Sequence, residues 1–198
     1  MRNARAFTFV RHGRSTYNAQ GLVNGDPQVP VALDDVGRGQ ILALRETLGP
    51  RDFDLAVRTR FPRTAESLTL LLDGRYVPVA IYAEFDDVRL GVFEGGPVGE
   101  YREWRRSHTP DQPPPGEGES RLGALYRYLR GFERLLDEEA DRVLAVIHDV
   151  PIRFLLNAAR GADPLDGPVR AVANAEVNVL DEDAVFRGLA GIRDRLGL

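Results

Sequence analysis

The sequence predicts an α/β fold: a three-layer sandwich with a mostly parallel central sheet flanked by helices. Three observations carry this. Short apolar runs rich in aromatic and β-branched residues recur at 6–10, 54–58, 77–82 and 143–147 and read as strands. Amphipathic helical patterns stand between them, the alternation expected of parallel strands joined by crossover helices. A length of 198 residues with 43% hydrophobic residues suits a single domain, 1–198, with a sizeable core.

The elements follow in chain order. "AFTFV" (6–10) is a buried strand. In "LDDVGRGQILALRETLG", Asp34 or Asp35 serves as N-cap, Ile41, Leu42, Leu44 and Leu48 lie on roughly one face, and Gly49-Pro50 stops the helix. "DLAVR" (54–58) is a second strand, "RTAESLTLLLDG" (63–74) a helix ending at Gly74, and "VPVAIY" (77–82) a third strand. From Gly91 to Ser120 the periodicity dissolves: "EGGPVGEYREWRR" has room for a short helix, and "TPDQPPPGEGES" is loop. With one domain to accommodate, residues 92–120 read as an insertion or lid over a site rather than as a linker. "SRLGALYRYLRGFERLLDEEA" is an amphipathic helix capped by Ser120, with Leu122, Leu125, Leu129, Phe132 and Leu136 forming a stripe. "VLAVI" (143–147) is a strand, "PIRFLLNAA" a helix with Pro151 near its start, and "EVNVL" and "AVFRGLA" close the chain as edge strands. No internal repeat is visible.

Composition narrows the chemistry. A net charge of −4 shows no nucleic-acid-binding surface, and no apolar run approaches the roughly 20 residues that span a bilayer. The first thirteen residues hold too short an apolar stretch for a secretory leader, so a cytoplasmic protein acting on a small molecule is expected; oligomeric state is not legible. The absence of cysteine excludes thiolate catalysis and Cys-ligated metals. All 26 basic residues are arginine, which excludes lysine Schiff bases and a Walker-type phosphate loop.

Two of the three histidines, His12 and His148, directly follow predicted strands. In parallel α/β sheets the crevice beyond the carboxyl ends of the strands is where ligands bind. A single strand-end histidine is more often structural; two at equivalent places, the first beside Arg11, point to a site. A neutral imidazole can attack phosphorus while a neighbouring guanidinium forks onto phosphoryl oxygens and disfavours imidazolium. Gly13 would let the backbone approach the anion closely. The third histidine, His108, reads as a solvated surface residue or a substrate contact, Tyr101 and Trp104 as packing within the lid or as a stacking surface for ligand, and Arg102, Arg105 and Arg106 as helix-surface charge or a hold on an anionic substrate.

At this point the motifs form a pattern. "VRHGRSTYN" resembles the opening signature of the histidine phosphatase superfamily, the phosphoglycerate-mutase-like proteins, and four later blocks agree in order. "FDLAVRTRFPRTAES" is similar to the family's second block, with Thr59 at a hydroxyl position and Arg63 as second phosphate-binding arginine; Arg60 fits a looser spacing. "FDDVRLGVFEGGP" matches the carboxylate block with Asp87 at the usual glutamate, "PPPGEGES" resembles the turn before the long helix in the small phosphatase branch, and "VLAVIHDVPIRFLL" carries His148. The resemblance implies His12 as nucleophile, Arg11, Arg63 and His148 around the phosphoryl group, Asn18 as a substrate contact and Asp87 as the acid. Asp149 and Glu84 are alternative acids, Asp149 alternatively capping its own helix. Arg14 replaces a common Glu or Gln at the pocket rim. No cofactor and no metal site are implied. The activity implied is metal-independent hydrolysis of a phosphate monoester; a phosphoglycerate mutase or a non-catalytic phospho-ligand binder on the same fold are the alternatives.

Overall fold

The computed structural model describes residues 5–48 and 52–198. Its core is one five-stranded sheet in the order β3-β2-β4-β1-β5, comprising β1 (Ala6–Arg11), β2 (Leu55–Arg58), β3 (Val79–Ile81), β4 (Arg142–Ile147) and β5 (Val177–Asp181). β1, β2, β3 and β4 run parallel, and β5 closes one edge antiparallel to β1. The helices are α1 (Thr16–Gln20), α2 (Asp35–Leu48), α3 (Pro62–Leu72), α4 (Val98–Ser107), α5 (Arg121–Asp137), α6 (Asp149–Ala159) and α7 (Glu182–Leu196).

Strand side chains alternate between two cores, as the pleat requires. Phe7, Phe9, Leu55, Val57, Val143, Ala145 and Ile147 face the side carrying α5, α6 and α7. Val10, Ala56, Leu144 and Val146 face α2 and α3. Both faces of the sheet are therefore covered, which is why these strands read as continuous apolar runs.

The helix boundaries have local causes. Asp34 rather than Asp35 caps α2, its Oδ1 accepting from Gly37 N at 2.7 Å. Ile41 is buried on α2, whereas Leu42, one position round the helix, is 37% exposed, so the stripe is narrower than expected. The predicted Gly49-Pro50 stop lies outside the described residues. α3 ends at Asp73 and Gly74, both left-handed. Ser120 caps α5 through Gly123 N at 3.0 Å, and Tyr128 and Leu135 join the predicted stripe in the core. Pro151 falls in the first turn of α6, where a missing N–H costs nothing.

One element differs from its reading. "EVNVL" forms the edge strand β5, but "AVFRGLA" is helical, lying within α7. Ala184, Val185, Gly188, Leu189 and Ile192 are buried at helical spacing. Asp181 caps the start, Glu182 and Asp183 occupy the first turn, Arg193 and Arg195 the last, and left-handed Gly197 ends it. A seven-residue window is too short to display that period. The packing partner is α6, where Gly188 lies so close that a Cβ would stand 2.5 Å from Leu155 Cδ1.

Residues 92–120 hold α4 and a loop. The loop is pinned from Gly91, which has φ +57°, and Val92 N donates to Pro115 O at 2.9 Å. A Cβ at position 91 would lie 1.9 Å from that same carbonyl, so only glycine fits.

Asp181→Ala removes the α7 cap bond to Ala184 N and should cost about 1 kcal/mol, lowering the melting temperature by about 2–4 °C. Asp183→Ala, which alters only the helix-end charge, should cost a few tenths of a kcal/mol. Thermal melts of the two variants beside the parent check both values.

Candidate active site

Three adjacent strands deliver the site. β2, β4 and β1 are neighbours in the sheet, and the residue after each is Thr59, His148 and His12. β1 and β4 end in register, Arg11 opposite Ile147, and the ladder continues one step as His12 N donates to Ile147 O at 3.0 Å. The two imidazoles consequently sit side by side, ring centroids 5.3 Å apart and nearly perpendicular, both buried.

Each ring is held. His12 Nδ1 lies 2.7 Å from its neighbour's carbonyl, Gly13 O, so that nitrogen carries the proton and leaves the Nε2 lone pair available. Arg63 Nε donates to Nε2 at 3.1 Å. His148 Nε2 is 3.0 Å from the Thr59 hydroxyl, which is linked in turn to Thr64 Oγ1 at 2.9 Å. Its Nδ1 faces Arg63 at 3.4 Å and Asp87 Oδ2 at 3.5 Å.

Arg63 is the second residue of α3, after Pro62 at the start, so the sequence choice between Arg60 and Arg63 resolves on geometry. Arg63 is 3% exposed and stacks over Phe61 at 4.2 Å. Arg60 points outward and pairs with Asp86, its Nε 2.6 Å from Oδ2. Asp86 and Asp87 are thereby sorted as well: Asp86 ties down Arg60, and Asp87 Oδ2 stands 3.3 Å from Arg63. Arg11 lines the same cavity, one NH donating to Val172 O at 2.6 Å and its buried Nε having no partner.

Burial and the surrounding cations shape the protonation states. Desolvation, then Arg63 and Arg11, hold the His12 pKa well below the ordinary imidazole value. His148 is lowered by the same causes, with His12 adding to them. Desolvation brings Arg63 down to about 10, still charged at neutral pH. Asp87 moves the other way: burial raises its pKa although Arg63 opposes this.

Several readings are corrected. Glu84 pairs with Arg134 at 3.2 Å and does not line the cavity, so it is not placed to act as the acid. Asp149 lines the cavity but caps no helix; its Oδ1 accepts from Val172 N at 2.6 Å, pinning the 170–174 segment. Arg14 is not at the rim, its Nε being bound to Asp34 at 2.7 Å. Gly13 serves packing rather than anion approach: a Cβ there would lie 2.5 Å from Gly37 O, and its N–H is bound to Ser67. Arg102 and Arg105 face the cavity, unlike Arg106. Their direction depends on how α4 docks, which charge patterning does not show. His108 stacks on Trp104, centroids 4.3 Å apart, away from the cavity.

Other residues escaped the sequence reading. Asn24 accepts from Arg63 NH1 through Oδ1 and from NH2 through its carbonyl, and it is fixed by Glu94 at 2.9 Å. Asn174 Nδ2 donates to His12 O at 3.1 Å and to Asn18 Oδ1 at 3.3 Å, joining Asn18 to the His12 backbone. Only the Glu-Gly of the carboxylate block hinted at the first; nothing local marked the second. Among the described residues, no group of three or more His, Cys, Asp or Glu side chains is placed to hold a metal ion.

A parallel sheet that brings two neutral imidazoles and two arginines to one crevice defines a phosphoryl-transfer class of protein. Within that class the chain belongs to the histidine phosphatase superfamily (branch 1), whose family model matches residues 7–191. It is 28% identical over 157 residues to the adenosylcobalamin/alpha-ribazole phosphatase of Salmonella typhimurium, covering 74% of this chain and 75% of that protein. A glucosyl-3-phosphoglycerate phosphatase from Mycolicibacterium vanbaalenii is 28% identical over 145 residues, which is 69% of this chain and 62% of the relative. Among solved structures, the alpha-ribazole phosphatase from Shigella flexneri has a TM-score of 0.75 at 23% identity, covering 89% of this chain and 90% of its own. A mycobacterial glucosyl-3-phosphoglycerate phosphatase with VO3 has a TM-score of 0.73 at 25% identity, covering 89% and 92%.

The lowered histidine pKa values set a pH dependence of stability. Between the folded value and the ordinary 6.5, the unfolded chain binds protons that the folded chain does not. Stability should therefore be complete above 6.5 and fall as the pH drops below it. His148→Asn removes one such group and should flatten the decline by up to about 1 kcal/mol per pH unit, read from urea unfolding at about pH 7.5 and about pH 5.

Proposed function

We propose that the protein is a metal-independent phosphatase that hydrolyses a small phosphorylated molecule in the cytoplasm through a phosphohistidine on His12. The observation that carries this reading is the His12 ring itself. Its Nδ1 proton is committed to Gly13 O, its Nε2 lies beside Arg63, and its pKa is depressed, so it is an unprotonated nucleophile at neutral pH.

In the first step His12 Nε2 attacks phosphorus in line and the bond to the ester oxygen breaks. Arg11, Arg63 and Nδ1–H of His148 take the equatorial oxygens, with the Thr59 hydroxyl donating to His148 Nε2 to hold that tautomer. Asp87, whose pKa burial raises, gives its proton to the leaving oxygen. In the second step Asp87 takes a proton from water, the oxygen attacks phosphorus, and the N–P bond breaks to restore neutral His12. Positive charge that formed on the ring in between is stabilised by Gly13 O. Asn18, on the cavity wall, contacts the substrate. Residues 92–120 act as an insertion over the site within a single domain, contributing Tyr101, Arg102 and Arg105 to the wall.

His12→Ala should lower turnover of 4-nitrophenyl phosphate on the order of 10³-fold or more. The parent enzyme, quenched during turnover of a labelled ester, should carry acid-labile, base-stable phosphate on His12; full activity of the variant would refute the mechanism. No turnover of this ester by the parent would favour the non-catalytic binder.

The acid is tested with leaving groups. Asp87→Asn should slow an alkyl phosphate about 10²–10⁴-fold and 4-nitrophenyl phosphate, whose leaving group needs no proton, about ten-fold or less. If Asp149→Asn shows the selective loss instead, the acid is Asp149.

A further inference from the structure

The cavity that begins at His12 and Arg63 has a volume of about 390 Å³, the range in which whole small molecules bind. A phosphoryl group held by Arg11, Arg63 and His148 occupies only its floor. Across the cavity stand five more arginines: Arg102 and Arg105 from α4, Arg121 from the start of α5, Arg153 from α6 and Arg170 from the loop after it. We propose that these five arginines form a second anion site, and that the substrate is a phosphate monoester carrying a further phosphate or carboxylate group remote from the scissile bond. This rests on the phosphatase reading of the same cavity.

Charge counting supports it. Seven arginines line the cavity against two carboxylates, Asp87 and Asp149, in a chain whose net charge is −4. A monoester dianion matches Arg11 and Arg63. Of the outer five, Arg121 is neutralised by Asp166 at 2.7 Å. Arg153 has Asp149 Oδ2 only at 3.9 Å, the far edge of an ion pair. Arg102, Arg105 and Arg170 have no carboxylate within 4.0 Å among the described residues. Arg102 and Arg170 are exposed at the mouth of the cavity, but the inner members of the group are not solvated surface charge. Arg153 is 7% exposed, and its buried Nε has no hydrogen-bond partner. Arg105 is half-buried, and burial together with Arg121 and Arg153 lowers its pKa, the signature of cations pressed together. Four separate segments converge here while Arg106, on the same helix as Arg105, does not face the cavity. Unmatched cations gathered in one concavity await an anion. Guanidinium groups suit phosphate and carboxylate alike, because both accept their paired N–H groups.

Matched pairs of compounds test this. Fructose 1,6-bisphosphate is compared with fructose 6-phosphate, and 3-phosphoglycerate with glycerol 3-phosphate; each pair differs by one anionic group. The parent enzyme should favour the more anionic member of at least one pair about ten-fold or more in kcat/KM, and which pair responds distinguishes phosphate from carboxylate. In the Arg102→Gln/Arg105→Gln double variant that preference should drop towards unity, while 4-nitrophenyl phosphate falls much less. The same pairs are measured by calorimetric binding to the His12→Ala protein, which needs no turnover. If nothing is hydrolysed yet the binding preference stands, the phosphatase reading fails and the second site survives. Equal kcat/KM and equal binding within both pairs, or a preference that persists in the double variant, would overturn the proposal.

Discussion

The site depends on the register between β1 and β4. Two parallel strands in the middle of a sheet end level, Arg11 opposite Ile147, and each is followed at once by a histidine. Parallel pairing points both carboxyl ends the same way, so the two imidazoles emerge into one crevice. Thr59, leaving the neighbouring β2, arrives close enough to hold His148. A slip of one residue in either strand would turn one ring to the opposite face, and the apolar alternation of Phe7, Phe9, Val143 and Ala145 forbids that slip. The core thus sets the spacing of the chemistry.

Concentrating positive charge beside buried imidazoles is electrostatically unfavourable, and the surroundings offset it with dipoles more than with ions. Arg63 receives two oxygens of Asn24 and only a 3.3 Å approach from Asp87. Arg11 is held by the carbonyl of Val172. Amide oxygens fix a guanidinium without cancelling its charge, which leaves it available to a phosphoryl group. The same field and burial lower both histidine pKa values, and burial raises that of Asp87 against the arginines. His12, His148, Arg63 and Asp87 owe their states to one shared environment.

The loops act as fixings for that environment. Glu94 binds Asn24 and Gly25, and so holds Arg63 in place from the side of the insertion. Asp149 grips Val172, which carries the carbonyl that grips Arg11. The dipeptide after β4 therefore braces two parts of the site: His148 packs against His12 and Arg63, and Asp149 holds the segment bearing Asn174 and Arg170.

The sequence alone determined the layered α/β class, four of the five strands near their true bounds, β5 as an edge, and the pair of strand-end histidines with Arg11, while Arg63 and Arg60 stayed rivals. These signals are local: apolar runs, caps and motif spacings are written in consecutive residues. α7 was mistaken for a strand because its burial pattern exceeds the short apolar window in which it was read. Where Asp87, Asp149 and Glu84 stand relative to the cavity lay beyond the sequence, since three carboxylates near the right blocks look alike until their partners are known. Asn24 and Asn174 act across 39 and 162 residues of chain, and no local pattern marks such a contact. Arg102 and Arg105 read as helix-surface charge for the same reason. Which way a helix turns its cations is decided by how it docks, and docking is settled by the packing of distant segments.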